Sequence, residues 1–283
     1  MRYLLLLVIP LLAQSQGNDV RFAEHLMQEG DYFRAITEYK RVLFSAANDS
    51  LTDYCHLQIA KAYRRSGKFE LAVEHAAVVL TRGAASPGAR LGANVSLGLC
   101  YLESDMPQLA LQYFTAASQL PDTTCFALLC VGVAKVETRD FEGAGRSLSD
   151  AARQSALPGI RTSAEECSVL LKEYSHRPQL SSTVAAALSC VLPGAGQLYS
   201  GHAYDGLQAF LYTASMTLAA VAVYHYEHSV SGHLGWTYVG ITVAGMFHLS
   251  NIIGAARTAE YRNWRTHADL TARLKELLLR QEG

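Results

Sequence analysis

From Pro178 to Ala256 the chain has no Lys or Arg, and its charged residues there are Asp205 and Glu227 alone. Inside that stretch, Gly206 to Tyr224 and Leu234 to Gly254 hold no charge at all. Each run is near the ~20 residues that a helix needs to cross the hydrocarbon of a bilayer. Backbone polar groups in lipid must find partners within the segment, so helices are the expected form. Tyr212, Tyr224, Tyr226, Trp236 and Tyr238 lie near the ends, as interfacial anchors do. The plainer alternative is a helical hairpin buried in a water-soluble domain. Charge is concentrated elsewhere, so a domain boundary is expected near residue 178. A net charge of −1 offers nothing for nucleic acid to recognise.

The start of the chain has the order of a secretory leader over residues 1–15. Arg2 supplies the positive end, Leu4 to Leu12 a short apolar run, and Ala13-Gln14-Ser15 small residues at a cleavage site. Export would place the next domain outside the cytoplasm. The six cysteines show no metal-binding spacing, and most are expected as buried thiols.

Four segments share a local pattern in which a polar turn is followed by an Ala that opens a second helix. They are Gly30-Asp31-Tyr32 with Ala35, Gly67-Lys68-Phe69 with Ala72, Asp105-Met106-Pro107 with Ala110, and Arg139-Asp140-Phe141 with Ala144. Successive turns are 37, 38 and 34 residues apart. Small residues recur at Ala23, Ala60, Gly98 and Gly132, with Tyr63 and Tyr101 following in two of the four. Tyr39 and Phe114 occupy an aromatic position in the second helix, where Ala76 and Leu148 depart from it. The pattern resembles the tetratricopeptide repeat, a helix–turn–helix of about 34 residues. The resemblance implies an all-α helical-repeat solenoid over residues 18–177. Its last core would be covered by a helix from Thr162 to Tyr174, with Ser163 and Glu166 as a capping box and Pro178 as a stop.

Carried over residue by residue, the family's groove falls on Tyr54, Leu57, Lys61, Arg64 and Arg65, then Val95, Leu99 and Leu102, then Phe126, Leu129 and Val133. The expectation is an apolar strip with one basic cluster, suited to a protein or peptide partner with an acidic end or side chain. The plainer reading makes the cations a solvated face and the apolar residues packing. His25, His56 and His75 are scattered singly, and no phosphate loop or nucleophile motif is present. No enzymatic activity, cofactor or metal is expected. His225, His228 and His233 cluster irregularly and are read as a polar loop.

Ser181 to Tyr199 is also uncharged but is interrupted by Pro193-Gly194-Ala195-Gly196. With Gln197, Tyr199 and Gly201 this run resembles the signature P-G-x-G-Q-x-Y-x-G of an uncharacterised bacterial membrane-hairpin family. Asn251-Ile252-Ile253-Gly254-Ala255 resembles that family's N-x-x-x-A segment. Membership implies a small membrane-embedded helical module over residues 180–256. The motif fits a helix stop with an interfacial loop; the sharper alternative is an oligomer interface or a small polar site, so self-association is among the expected contacts.

Topology is where the expectations conflict. After the apolar region come Arg257, Arg262, Arg265, Arg273, Lys275 and Arg280, and such a tail is expected in the cytoplasm. A leader and a cytoplasmic tail agree only if Ser181–Tyr199 is a third crossing. The tail, residues 257–283, reads as a basic amphipathic helix with Leu270, Leu274, Leu277 and Leu278 on one face, fit for membrane lipid or for a partner. Together these features point to a protein-interaction scaffold in the bacterial inner membrane, its repeats periplasmic. An accessory subunit of a transport or secretion assembly is the alternative.

Overall fold

The structure, a computed structural model, describes residues 20–46, 48–120, 125–230 and 232–282. The expected leader (residues 1–15) and Pro121 lie outside them. Every regular element among the described residues is helical. In order they are α1 (residues 20–28), α2 (Tyr32–Ser45), α3 (Asp49–Arg65), α4 (Phe69–Thr81), α5 (Pro87–Glu103), α6 (Pro107–Ser118), α7 (Cys125–Glu137), α8 (Phe141–Gln154), α9 (Pro158–His176), α10 (Ser182–Val191), α11 (Ala195–Tyr199), α12 (Ala203–Val230) and α13 (Gly235–Leu279). The chain divides into two compact units. One holds the described residues up to Leu171 together with those from Arg273 onward; the other is Lys172–Ala272.

In the first unit, α1 to α8 form four helix–turn–helix hairpins built on one turn. Gly30, Gly67, Asp105 and Arg139 each take the left-handed conformation, with φ of 78°, 72°, 55° and 65°. The next residue's N–H then donates back to Leu26, Tyr63, Tyr101 and Lys135 at 2.8–2.9 Å, closing a Schellman-type end on the first helix. That same residue's carbonyl accepts from Ala35, Ala72, Ala110 and Ala144, starting the second helix. Asp31 and Asp140 also cap with their side chains, bonding the N–H of Arg34 and Gly143.

Within each hairpin the small position faces the residue sixteen places on. Ala23 and Tyr39 share one core, Ala60 and Ala76 another. A Cβ on Gly98 would strike the Phe114 ring, and one on Gly132 would strike Leu148. Bulk on one helix is therefore matched by its absence on the other. Asp105 and Arg139 fill turns that glycine fills elsewhere, and a side chain in that conformation costs roughly 1–2 kcal/mol. Arg139→Gly is therefore expected to stabilise this unit by about 0.5–1 kcal/mol net of glycine's extra chain entropy, read as a higher urea midpoint.

α9 begins at Pro158, so Ser163 lies inside the helix and caps nothing; the expected capping box is corrected. Ser163 is buried and serves the chain's far end instead. Its hydroxyl donates to the Leu277 carbonyl at 3.5 Å and accepts from Gln281 at 3.0 Å. Leu274 and Leu278 are wholly buried, as are Ala164 and Cys167 of α9. Lys275 pairs with Glu137 at 3.0 Å. The apolar face at Leu274, Leu277 and Leu278 is thus spent inside the first unit rather than on lipid or a separate partner. Nor is the tail a separate helix, because α13 runs unbroken for 45 residues.

In the second unit, α10 and α11 form a short hairpin against α13. Its two feet are level on α13: Leu180 exchanges two hydrogen bonds with Asn263 (2.8 and 3.0 Å), and Arg262 donates to the Ser200 carbonyl at 2.8 Å. The Ser181 N–H donates to the Tyr199 hydroxyl at 3.3 Å, tying the feet together. The tip lies further along, where His248 donates to the Cys190 carbonyl at 3.2 Å. α10 has 10 residues, roughly 15 Å of helix, and does not reach across a bilayer. Ser181–Tyr199 therefore returns to the level where it began, and the expected third crossing is corrected.

α12 and α13 are long and apolar enough to cross a membrane, each with mean hydropathy 1.5 in its most apolar window. Only 17% and 11% of those windows is buried. Leu207, Leu211, Leu218, Ile241, Met246 and Leu249 are exposed, so the apolar surface is not accounted for by a protein core.

Candidate functional site

The first unit holds an open cleft of about 440 Å³ lined by Glu24, Met27, Gln28, Tyr32, Tyr39, Gln58, Lys61 and Arg65. Lys61 and Arg65 are one turn apart on α3 and so share the face that looks into it. The Tyr54 hydroxyl donates to the Glu24 carboxylate at 2.6 Å, and its ring meets Tyr39 edge-on at 6.4 Å. Burial, then the neighbouring carboxylate, pushes both phenols above their ordinary pKa, so both remain neutral. The cleft is thus lined by the cations of Lys61 and Arg65, the Glu24 carboxylate that Tyr54 holds, and the rings of Tyr32 and Tyr39.

The other groove residues do not join it. Arg64 does not line it; its side chain is buried and ion-paired with Glu103. Leu99, Leu102, Leu129 and Val133 are core residues with no surface to offer. Leu57 packs beside Gly92 and into the cluster around Val79 and Ala93. Val95 packs with Leu91 and Ala127, and Phe126 is half-buried. The expected apolar strip is thus corrected to packing between neighbouring hairpins. Glu24, Gln28, Tyr32 and Gln58 were not among the expected residues. Glu24 with Gln28, and Gln58 with Lys61 and Arg65, do lie at helical spacing, and that was the available signal.

His56 and His75 are not isolated. Their Nδ1 atoms are 3.1 Å apart between α3 and α4, so one ring donates and the other accepts. Burial lowers both pKa values; Arg82 adds to this at His56 against Asp53, which raises it. His75 falls to about 4, with His56 and Lys40 contributing after burial. The unfolded chain binds protons at these rings below about pH 6.5 while the folded one does not, so stability is full above that pH and is lost as pH falls. The expected loss between pH 6.5 and 4 is about 1 kcal/mol for His75, after discounting for solvent at a half-buried ring. Urea titrations at the two pH values check this, and His75→Gln should flatten the slope.

The glycine-rich motif is assembled around the α10–α11 turn. Gly194 is left-handed, with φ of 86°, and lies on the Gly206 backbone. Gly196 is enclosed between the Ala185 carbonyl and the Ala255 methyl. Ser189 accepts from the Gly196 N–H (2.9 Å) and donates to Gln197 (3.1 Å), and Gln197 donates to Asn251 at 2.8 Å. Tyr199 and Gly201 lie at the feet, Gly201 against Arg262 and Tyr199 against Ser181. Pro193 stands in the turn, where it interrupts the helix. The structure thus brings together the motif's Pro193, Gly194, Gly196 and Gln197 with Asn251 from the second half of the module.

At the α12–α13 turn, Glu227 accepts from the N–H groups of Trp236 and Thr237 and from the Thr237 hydroxyl at 2.7–3.0 Å. The carboxylate caps the start of α13, where an anion is favoured. The Tyr224 ring meets His225 and His228 at 5.5 and 5.7 Å. Among the described residues no group of three or more His, Cys, Asp or Glu converges as metal ligands do. Cys55 and Cys167 are buried, and burial first of all holds their thiols up, at about 11 and about 12.

No protein-family model matches this chain, and no curated protein matches its sequence.

Proposed function

We propose that the protein is a membrane-anchored protein-interaction scaffold of the bacterial envelope, its four hairpins stacked as a tetratricopeptide-like solenoid. The observation that carries the anchor is the exposure of α12 and α13, apolar on their outer surfaces yet covered by no protein. In this reading both cross the bilayer, and α10–α11 is a re-entrant hairpin. Backbone at that depth must be buried in protein, which is the service that Ser189, Gln197 and Asn251 perform. The binding surface is the cleft with Lys61 and Arg65, which suits a segment carrying an acidic group. A photo-crosslinker at Gln58, followed by purification from membranes, is expected to recover a stoichiometric partner that Lys61→Glu with Arg65→Glu loses. An unchanged partner set would sink the cleft as the binding surface.

Two crossings put the residues before α10 and those after α13 on one side. The tail belongs to the same unit as the repeats, which requires the same thing. We assign that side by the leader, as exported, against the positive-inside expectation from Arg257, Arg262 and Arg265. A reporter that works only after export, fused after Gly283, is expected to be active; activity confined to a cytoplasmic reporter overturns the assignment. A second reading, an accessory role in a transport assembly, draws on the polar cluster at the hairpin, and flux through reconstituted vesicles would favour it.

A further inference from the structure

We propose that one face of α13, formed by Arg257, Tyr261, Trp264 and Arg265, is a docking surface for anionic phospholipid headgroups; the proposal rests on the membrane reading above. These residues recur at helical spacing on one side of the helix, directly after its apolar run. All four are exposed, and the two aromatics stack on each other, with ring centroids 5.7 Å apart, while remaining 52% and 57% accessible. Among the described residues neither arginine forms an ion pair, and stacked aromatics beside them make a poor water-facing surface. They make a good surface for a layer with apolar chains below and phosphates above.

Helix length supports this occupant. Trp236 and Trp264 lie on the same unbroken helix, roughly 42 Å apart at 1.5 Å per residue, which is the thickness of a bilayer with both headgroup layers. Trp236 is exposed as well, so the two tryptophans mark the two interfaces. From Arg257 to Arg265 is roughly 12 Å, enough to bracket one headgroup layer. Arginine suits the ligand because its planar fork meets phosphate oxygens in pairs. The feet of the re-entrant hairpin sit at this same level, through Asn263 and Arg262, and exposed Arg177 lies three residues before Leu180. Glu260 flanks the face three residues from Arg257, and Asp269 stands one turn beyond Arg265 at its far end.

The test uses the full chain with Trp236→Phe, which leaves Trp264 as the sole tryptophan, reconstituted in vesicles of phosphatidylcholine with phosphatidylglycerol. Brominating the chains of one lipid at a time reports which lipid Trp264 touches. Brominated phosphatidylglycerol is expected to quench more than its mole fraction predicts, by a preference of about fivefold for each arginine. High salt should weaken the preference, and Arg257→Gln with Arg265→Gln should reduce it to near unity. Equal quenching by the two lipids overturns the proposal. So does absence of quenching with Trp264 shielded in a crosslinked protein complex, which would make this a protein interface. Extraction of the chain from vesicles by alkaline carbonate would instead defeat the membrane reading, so the two failures are distinguishable.

Discussion

Replacing Leu274 and Leu278 together by Ala is expected to unfold the end of the repeat unit. Both side chains are wholly buried in that unit. Each Leu→Ala change in a core costs about 2–5 kcal/mol, and the pair approaches the 5–15 kcal/mol that holds a whole domain. The loss should appear first in α9, where Ser163 bonds Leu277 and Gln281. Hydrogen exchange on the detergent-solubilised chain reads this directly: α9 amides lose protection while those of α12 keep theirs. Unchanged protection in α9 would show that the tail merely rests on the unit without completing it. Replacing the exposed Arg273 by Gln serves as the control and should leave exchange unaltered.

The second large effect is expected from one methyl group. Gly196→Ala sets a Cβ against the Ala185 carbonyl and the Ala255 methyl. Neither is the free end of a flexible side chain, so the hairpin must move off α13. We expect a cost of about 3 kcal/mol, at the upper end for overpacking, because backbone does not rotate aside. Moving also opens the bonds from Ser189 to Gly196 and from Gln197 to Asn251. Cys190, exposed near the hairpin tip, is a built-in reporter. In vesicles it should resist a water-soluble maleimide in the native chain and react in the variant. Equal reactivity in both chains, with no change in thermal stability, would contradict the tight seat assigned to Gly196.

The repeated turns were legible in the sequence because each is a local device. One residue with positive φ, one helix end and one opening Ala lie within six positions, and all four occur where the pattern placed them. The two long apolar helices were legible for a similar reason, since absence of charge over some twenty residues has few structural explanations. What was not legible depends on which way a side chain points. Arg64 and Arg65 are neighbours in sequence, yet a step of about 100° around the helix buries one against half-buried Glu103 and sends the other to the cleft. Leu99 and Val133 were assigned to a groove from the family pattern, whereas the contacts between successive hairpins bury them.

The Pro-Gly segment misled in a different way. An uncharged run of nineteen residues suits a crossing or a folded-back hairpin equally well; what separates them is Asn263 meeting Leu180 and Gln197 meeting Asn251, across more than fifty residues of chain. The tail's leucine stripe was equally ambiguous. Amphipathic spacing states that a partner exists, and lipid, another protein and the chain's own α9 all satisfy it.

The burial of Leu274 and Leu278 also sets an order on synthesis. Everything from α1 to α9 leaves the ribosome before α12 and α13, yet the core under α9 is finished only by residues made after both apolar helices. Until then the unit keeps an uncovered apolar layer, the state in which chains aggregate or are taken up by chaperones and proteases. A copy that fails to complete α12 and α13 thus remains marked as unfinished, which links survival of the first unit to completion of the two apolar helices.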